Sequence, residues 1–256
     1  MQVWDLVNEP LWEASLRTLP QRDWPQIEST EEMLTYIAPA VQWAREEAPD
    51  AILAINDYGL EVTTTKLKAV TAPQQRQRFV ALMRALAERG LAVDALGTQG
   101  HVGKWYRMDI VQQCLDELAE AGLPVQVSEF WASPEQCPEP EGRAPEEIAA
   151  ASDRYVADYY TVVFGHPRTT QLSYWGDHRF FDRGGYVPGP RYAVLHDLIR
   201  KQWWTDVEVT TDGDGVLATR AFHGEHRLRW SDASGAHSLP LDVVPGRTCT
   251  ATITLP

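Results

Sequence analysis

With 256 residues and 44% apolar content, the chain can bury one large core, or a core plus an appendage. A formal net charge of −13 works against nucleic acid and anionic membrane, which are held through excess Lys and Arg, and leaves a neutral ligand such as a glycan open. No apolar run approaches the ~20 residues of a membrane helix, the residues after Met1 do not read as a secretory leader, and Cys114, Cys137 and Cys249 are too widely spaced, and odd in number, for a disulfide framework or a metal knuckle.

In chain order, Val3 to Val7 reads as a buried strand. A long loop with Pro20 and Pro25 follows, then a helix that Ser29 or Thr30 can cap ahead of Glu31 and Glu32. Ala51 to Asn56 reads as the next strand. Pro73 opens a strongly periodic helix to about Arg89, with Phe79, Leu82, Met83 and Leu86 on one face and Gly90 as its stop. Val93 to Thr98 forms a third strand, and Asp109 is placed to cap a helix from Ile110 to Ala121 that Gly122 ends. Cys114 falls on that helix and reads as core. Val125 to Ser128 forms a fourth strand, and a proline-rich loop runs from Pro134 to Pro145. A helix from Glu146 to Phe164, a strand from Thr169 to Tyr174 and an amphipathic helix from Arg191 to Lys201 complete the series. Five strand and helix units in rotation predict an α/β protein with a parallel sheet wrapped by helices.

After Trp204 the rhythm changes. Val207 to Thr211, Val216 to Phe222, His226 to Trp230, Ser238 to Val243 and Cys249 to Leu255 are short, β-branched or alternating, and predict a small antiparallel β module. The expected domains are therefore 1–204 and 205–256. Asp212 and Asp214 resemble the start of a calcium loop, but the acidic ligand at the far end is absent, so the spacing is read as a hairpin and no metal site is expected.

Three pieces carry the chemistry: WDLVNEP (Trp4 to Pro10), GTQGH (Gly97 to His101) and VSEFW (Val127 to Trp131). Each ends a strand, and in an α/β barrel such ends converge on one mouth, so Glu9 and Glu129 are expected to face each other. Paired acids in that position suit glycoside hydrolysis, in which one protonates the leaving oxygen and the other attacks or activates water. Neighbouring residues on a regular strand point to opposite faces, so Asn8 and Glu9 both reach the mouth only if the strand ends or bulges near Val7 to Glu9. Gln99 accompanies the acids, and His101 reads as a partner that orients a carboxylate. Trp12, Tyr58, Trp105, Trp131 and Trp175 fall at or beyond strand ends, where aromatic faces can pack on sugar rings, whereas Trp4 and Trp43 are expected between sheet and helices.

WDLVNEP, INDYG (Ile55 to Gly59), the LGTQGH run from Leu96, SEFW and YWGD (Tyr174 to Asp177), in that order, resemble strands four to eight of family 10 glycoside hydrolases, chiefly endo-β-1,4-xylanases. The resemblance covers about Gln2 to Ile199 and implies a partial (β/α)8 barrel. It implies Glu9 as acid/base, Glu129 as nucleophile, Asn8 as the group binding the sugar 2-hydroxyl, and Gln99, His101 and Trp175 as lining of the cleavage subsite. It also implies a xylan-like polysaccharide or oligosaccharide substrate, no cofactor, and a secreted or periplasmic location if a leader once preceded the chain. The terminal module resembles tails found on some members, with Phe222-His223-Gly224 as the shared turn.

Three departures stand out. Where the family usually has Thr-Glu-Leu-Asp, this chain has Ser128-Glu129-Phe130-Trp131, and the segment after Trp175 lacks the family's usual Ser-Trp ending. Strands one to three of the family supply a lysine, a histidine and a further tryptophan that no part of this sequence hosts, so the chain is expected to be truncated relative to a closed barrel. Three readings follow: a retaining xylanase whose two carboxyls stand about 5 to 5.5 Å apart, a barrel hydrolase acting on a glucan or mixed glycan, and a non-catalytic fragment that binds sugar weakly. Oligomeric state is not read from the sequence.

Overall fold

The computed structural model describes residues 3–11, 29–61, 70–101, 103–176, 179–182 and 186–254. Among them, five strands form one parallel sheet in sequence order: β1 (Val3–Asn8), β2 (Ile52–Asp57), β3 (Ala95–Thr98), β4 (Val125–Phe130) and β5 (Thr169–Tyr174). Helices α1 (Thr30–Glu47), α2 (Ala72–Glu88), α3 (Met108–Ala119) and α4 (Pro145–Gly165) alternate with them, followed by α5 (Pro190–Asp197), which runs on into a π-helical turn at Leu198–Gln202. Right-handed crossovers through helices are what a parallel sheet requires, because its strands cannot be joined by tight turns.

The helix starts follow the sequence signals. Ser29 caps α1 reciprocally with Glu32, its Oγ accepting from the Glu32 amide at 3.2 Å while Glu32 Oε2 accepts from the Ser29 amide at 2.9 Å. Thr71 and Gln74 repeat the device at α2, with Pro73 in the first turn. At α3 the expectation changes: Arg107, not Asp109, occupies the N-cap, and Asp109 sits in the first turn, where it pairs with Arg107 at 2.8 Å and complements the helix dipole.

Phe79, Leu82, Met83 and Leu86 are all buried as the α2 periodicity requires, and each such side chain contributes about 1.5–3 kcal/mol on removal from water. Trp43 and Trp4 do not fill the layer between sheet and helices. Trp43 is 64% exposed because Met33, Leu34, Ile37, Val41 and Ala44 form the inner stripe of α1, and position 43 falls outside it. Trp4 is 38% exposed on β1, an edge strand.

Two compact units partition the chain, Met1–Tyr192 and Ala193–Pro256. In the second, β6 (Gly224–Asp232) and β7 (Gly235–Val243) make one antiparallel hairpin in unbroken register. The other three expected strands, within 207–211, 216–222 and 249–254, are not strands. Alternation specifies which face a residue takes, but a strand forms only where a partner completes the ladder, and these segments are largely exposed along their length. Asp212 belongs to a turn: its Oδ1 accepts from the amides of Asp214 at 3.1 Å and Val216 at 2.8 Å.

Candidate active site

The C-terminal ends of β1 to β4 place the motif residues side by side. In β1 the register slips between Asp5 and Val7, two residues ahead of the Val7 to Glu9 stretch expected from the sequence. The strand then ends at Asn8, and Glu9 adopts a left-handed conformation with φ 59°. A non-glycine residue pays for that conformation in strain, and here it turns the Glu9 side chain to the same side as Asn8. A second slip in β4, between Val127 and Phe130, similarly brings neighbours Ser128 and Glu129 to one polar cluster. Main-chain bonds lock these ends: Glu9 N to Asn56 O at 2.7 Å, Gln99 N to Asp57 O at 2.9 Å, and Glu129 N to Gln99 O at 2.8 Å.

One chain of side-chain hydrogen bonds connects the two acids. Gln99 Nε2 donates to Glu9 Oε1 at 2.8 Å and lies 3.4 Å from Asn8 Oδ1. Asn56 Nδ2 donates to the same Asn8 oxygen at 3.1 Å and to Glu129 Oε1 at 3.2 Å. His101 Nε2 meets the other Glu129 oxygen at 3.1 Å, and when Glu129 is a carboxylate the ring is the donor through Nε2–H. Ser128 Oγ donates to Asn56 Oδ1 at 2.9 Å, which orients the amide so that its NH2 faces the acids. Asn56 and Gln99 are 1% and 3% exposed, so the donors that join the carboxylates are held in the buried layer beneath them.

Of the remaining predicted residues, Trp175 is 56% exposed and stands edge-on to His101 with ring centres 6.3 Å apart. Trp131 is half-buried and forms a parallel bridge with His101, its amide donating to Gly100 O at 3.3 Å. Tyr58 is half-buried just after β2, its amide donating to Asp57 Oδ1 at 2.7 Å. Trp12 lies outside the described residues. Trp105 is half-buried: one face of its ring stacks on Tyr155 at 5.5 Å and its indole N–H donates to Ser133 O at 3.1 Å, so packing engages one face and its polar edge.

Three polar residues join the site that the sequence reading did not single out. Asn56 is the central link just described. Asp57 is buried and accepts from the Leu11 and Tyr58 amides, each at 2.7 Å, which ties down the chain just past Glu9. Burial pushes its carboxyl well above the usual range, against the pull of those two amides and reinforced by nearby Glu9 and Glu61. Asp5, open to solvent on one side, is pushed up to about 6 by desolvation, then by negative Glu129, with Asn56 opposing and Glu9 adding. Asn56 and Asp57 sit inside the INDYG motif, and Asp5 is an acid within an apolar strand, so each carried a legible polar signal. Among the described residues, no three His, Cys, Asp or Glu side chains converge as metal ligands.

Fold and site define a class, the parallel β/α proteins with paired carboxylates at the C-terminal ends of their strands. The profile of glycosyl hydrolase family 10 matches residues 1–197, and the chain belongs to that family. Endo-1,4-β-xylanase B of Thermotoga neapolitana is 25% identical over 190 residues, covering 74% of this chain and 48% of that protein. The β-1,4-xylanase of Dictyoglomus thermophilum is 33% identical over 128 residues, 50% of this chain and 32% of that one. The chain thus spans about half or less of the length of these curated relatives. The crystal structure of xylanase 10B from Thermotoga petrophila in complex with xylobiose superposes with a TM-score of 0.55 at 20% identity, covering 78% of this chain and 60% of that chain.

Proposed function

We propose that this chain carries the acid pair of a retaining glycoside hydrolase acting on β-1,4-xylan or a related plant polysaccharide. The observation that carries the reading is the hydrogen-bonded sequence Glu9, Gln99, Asn8, Asn56, Glu129, His101 across four adjacent strand ends. Within it Glu129 is the nucleophile: its carboxylate attacks the anomeric carbon while the glycosidic C–O bond breaks and Glu9 passes its proton to the leaving oxygen. In the second step Glu9 takes a proton from water, the water oxygen bonds the anomeric carbon, and the bond to Glu129 breaks, with net retention. Asn56 and His101 hold the nucleophile from its two oxygens. Two donors already occupy Asn8 Oδ1, so what Asn8 offers a ligand is its Nδ2 amide, suited to the sugar 2-hydroxyl. Trp175, Trp131 and Tyr58 supply flat faces for sugar C–H groups. Family membership and the xylanase names of the relatives support the substrate class.

Reducing-sugar release from xylan, compared with cellulose and mannan, tests the reading. Xylan is the expected substrate, and Glu129→Gln abolishes its hydrolysis; undiminished hydrolysis by that variant overturns the assignment. Proton NMR of the first product tests the stereochemistry, with the β-anomer expected.

A second reading rests on the sheet edges. β1 to β5 correspond in this proposal to strands four to eight of the barrel, and among the described residues β1 and β5 each have one unpaired side. On this reading the residues bind sugar, and efficient turnover awaits three further β/α units. Mixing the chain with the corresponding N-terminal half of a family 10 xylanase discriminates: a large rise in xylan hydrolysis supports it.

A further inference from the structure

Glu61 is a buried acid that the pair of carboxylates leaves unexplained. It follows the turn after β2, is 6% exposed, and its Oε1 accepts from the Gly100 amide at 2.6 Å and from the Thr98 hydroxyl. Burial holds its carboxyl above the ordinary Glu range, opposed by Thr98, by backbone amides and by His101.

Gly100 is the middle of the segment that touches both acids. Its φ is +78°, and a Cβ there would meet Val127 Cγ1 at 2.8 Å and the Phe130 Cα at 3.0 Å, so only glycine fits. Its carbonyl accepts from the Trp131 amide at 3.3 Å, while the Gln99 carbonyl accepts from the Glu129 amide at 2.8 Å. Glu61, not the strand ladder, satisfies the Gly100 N–H. A glycine is the residue least restrained by its own stereochemistry, so the peptide between Gln99 and Gly100 is held by these bonds.

We propose that Glu61 is a positioning residue for the acid pair: by anchoring the Gly100 amide it fixes the backbone between Gln99, 2.8 Å from Glu9 Oε1, and His101, 3.1 Å from Glu129 Oε2. The inference rests on the reading of Glu9 and Glu129 as the catalytic pair. Glu61 acts through the loop, and one buried carboxyl thereby sets the aim of both partners of the chemistry. Glutamine keeps both the side-chain length and an acceptor oxygen for the Gly100 amide, so it is the closest substitute.

The test uses the full 256-residue chain and the variants Glu61→Leu, Glu61→Asp and Glu61→Gln. Circular dichroism selects the folded variants, and Asp, one methylene shorter, replaces Leu where Leu does not fold. Two readouts follow: Gly100 amide hydrogen exchange with the Gln99 side-chain amide resonances, and kcat and KM on an aryl β-xylobioside. Loss of the anchor is expected to remove Gly100 protection, shift the Gln99 resonances and lower kcat by about 10²-fold with little change in KM. Glu61→Gln is expected to restore all three to within about threefold of the wild type. Unchanged Gly100 protection and Gln99 resonances in a folded Leu or Asp variant overturn the inference, as does a loss of kcat that Gln fails to restore. Absence of turnover in the wild-type chain counts against the catalytic reading of these residues alone, and the exchange and resonance readouts then decide the positioning role by themselves.

Discussion

The side chain of Asn56 lies over the bare Cα of Gly97: a Cβ built on that glycine would meet Asn56 Oδ1 at 2.6 Å. The missing side chain on β3 is what lets an amide from β2 reach across to Ser128 and Glu129 on β4. Gly97→Ala therefore forces Asn56 aside. The expected cost is about 1–3 kcal/mol of stability from overpacking, read as a lowered urea midpoint, and under the proposed function a fall in xylan hydrolysis of about tenfold or more as Glu129 loses a donor. Wild-type hydrolysis in the alanine variant would show that the amide bridge does not matter to the acids.

Asp5 gives the site a pH signature. Its carboxyl moves from 3.8 to about 6 on folding, so the unfolded chain releases this proton first as pH rises. Below the lower value both states hold the proton and Asp5 has no effect; between the two the unfolded state binds fewer protons, so stability falls with rising pH; above about 6 the full penalty is present. Asp5→Asn removes that penalty. Its melting temperature is expected to exceed the wild type at about pH 7.5 and to converge with it near pH 4. An equal difference at both pH values would exclude Asp5 as the titrating group.

Behind the aromatic residues, Arg191 is fully buried and donates to Ala132 O at 2.7 Å, to Ser152 Oγ at 2.7 Å and to the Tyr174 hydroxyl, and pairs with Asp153 at 3.3 Å. Ala132 and Tyr174 adjoin Trp131 and Trp175 in sequence, so the cluster braces the two segments that present those rings. Asp153 also pairs with Arg179. Asp153→Ala leaves a buried guanidinium short of its countercharge, with an expected loss of about 3–5 kcal/mol in chemical denaturation. Ser152→Ala removes one neutral partner and should cost about 1 kcal/mol or somewhat more.

Helix α1 allows a direct test of which face packs. Ile37 is fully buried and Trp43 is 64% exposed. Ile37→Ala is expected to cost about 2–5 kcal/mol, whereas Trp43→Gln should stay within about 0.5 kcal/mol of the wild type. The comparison by thermal melts reverses the ranking that residue size alone suggests.

The strand and helix rotation was legible because each element carries its own signal. The α2 stripe at Phe79, Leu82, Met83 and Leu86, the opening of α2 at Pro73 and the cap at Ser29 depend on residues within one or two turns. The burial expected of Trp43 fails for a related reason: its chemistry favours burial, but its angular position on α1 assigns it to solvent. The hairpin β6 and β7 formed from two of five alternating segments because pairing requires a partner that alternation does not name.

The sequence by itself determined the order of the β/α units and which strand ends carry Glu9, Gln99, His101 and Glu129, since both follow from local periodicity and residue type. Only the tertiary structure decided how those groups meet. The left-handed turn at Glu9, the register slips in β1 and β4, the room above Gly97 and the anchoring of Gly100 by Glu61 each depend on atoms from separate strands coming within a few ångströms. Hydrogen bonds are short-ranged and directional, so their partners are chosen by the packed sheet and not by position along the chain.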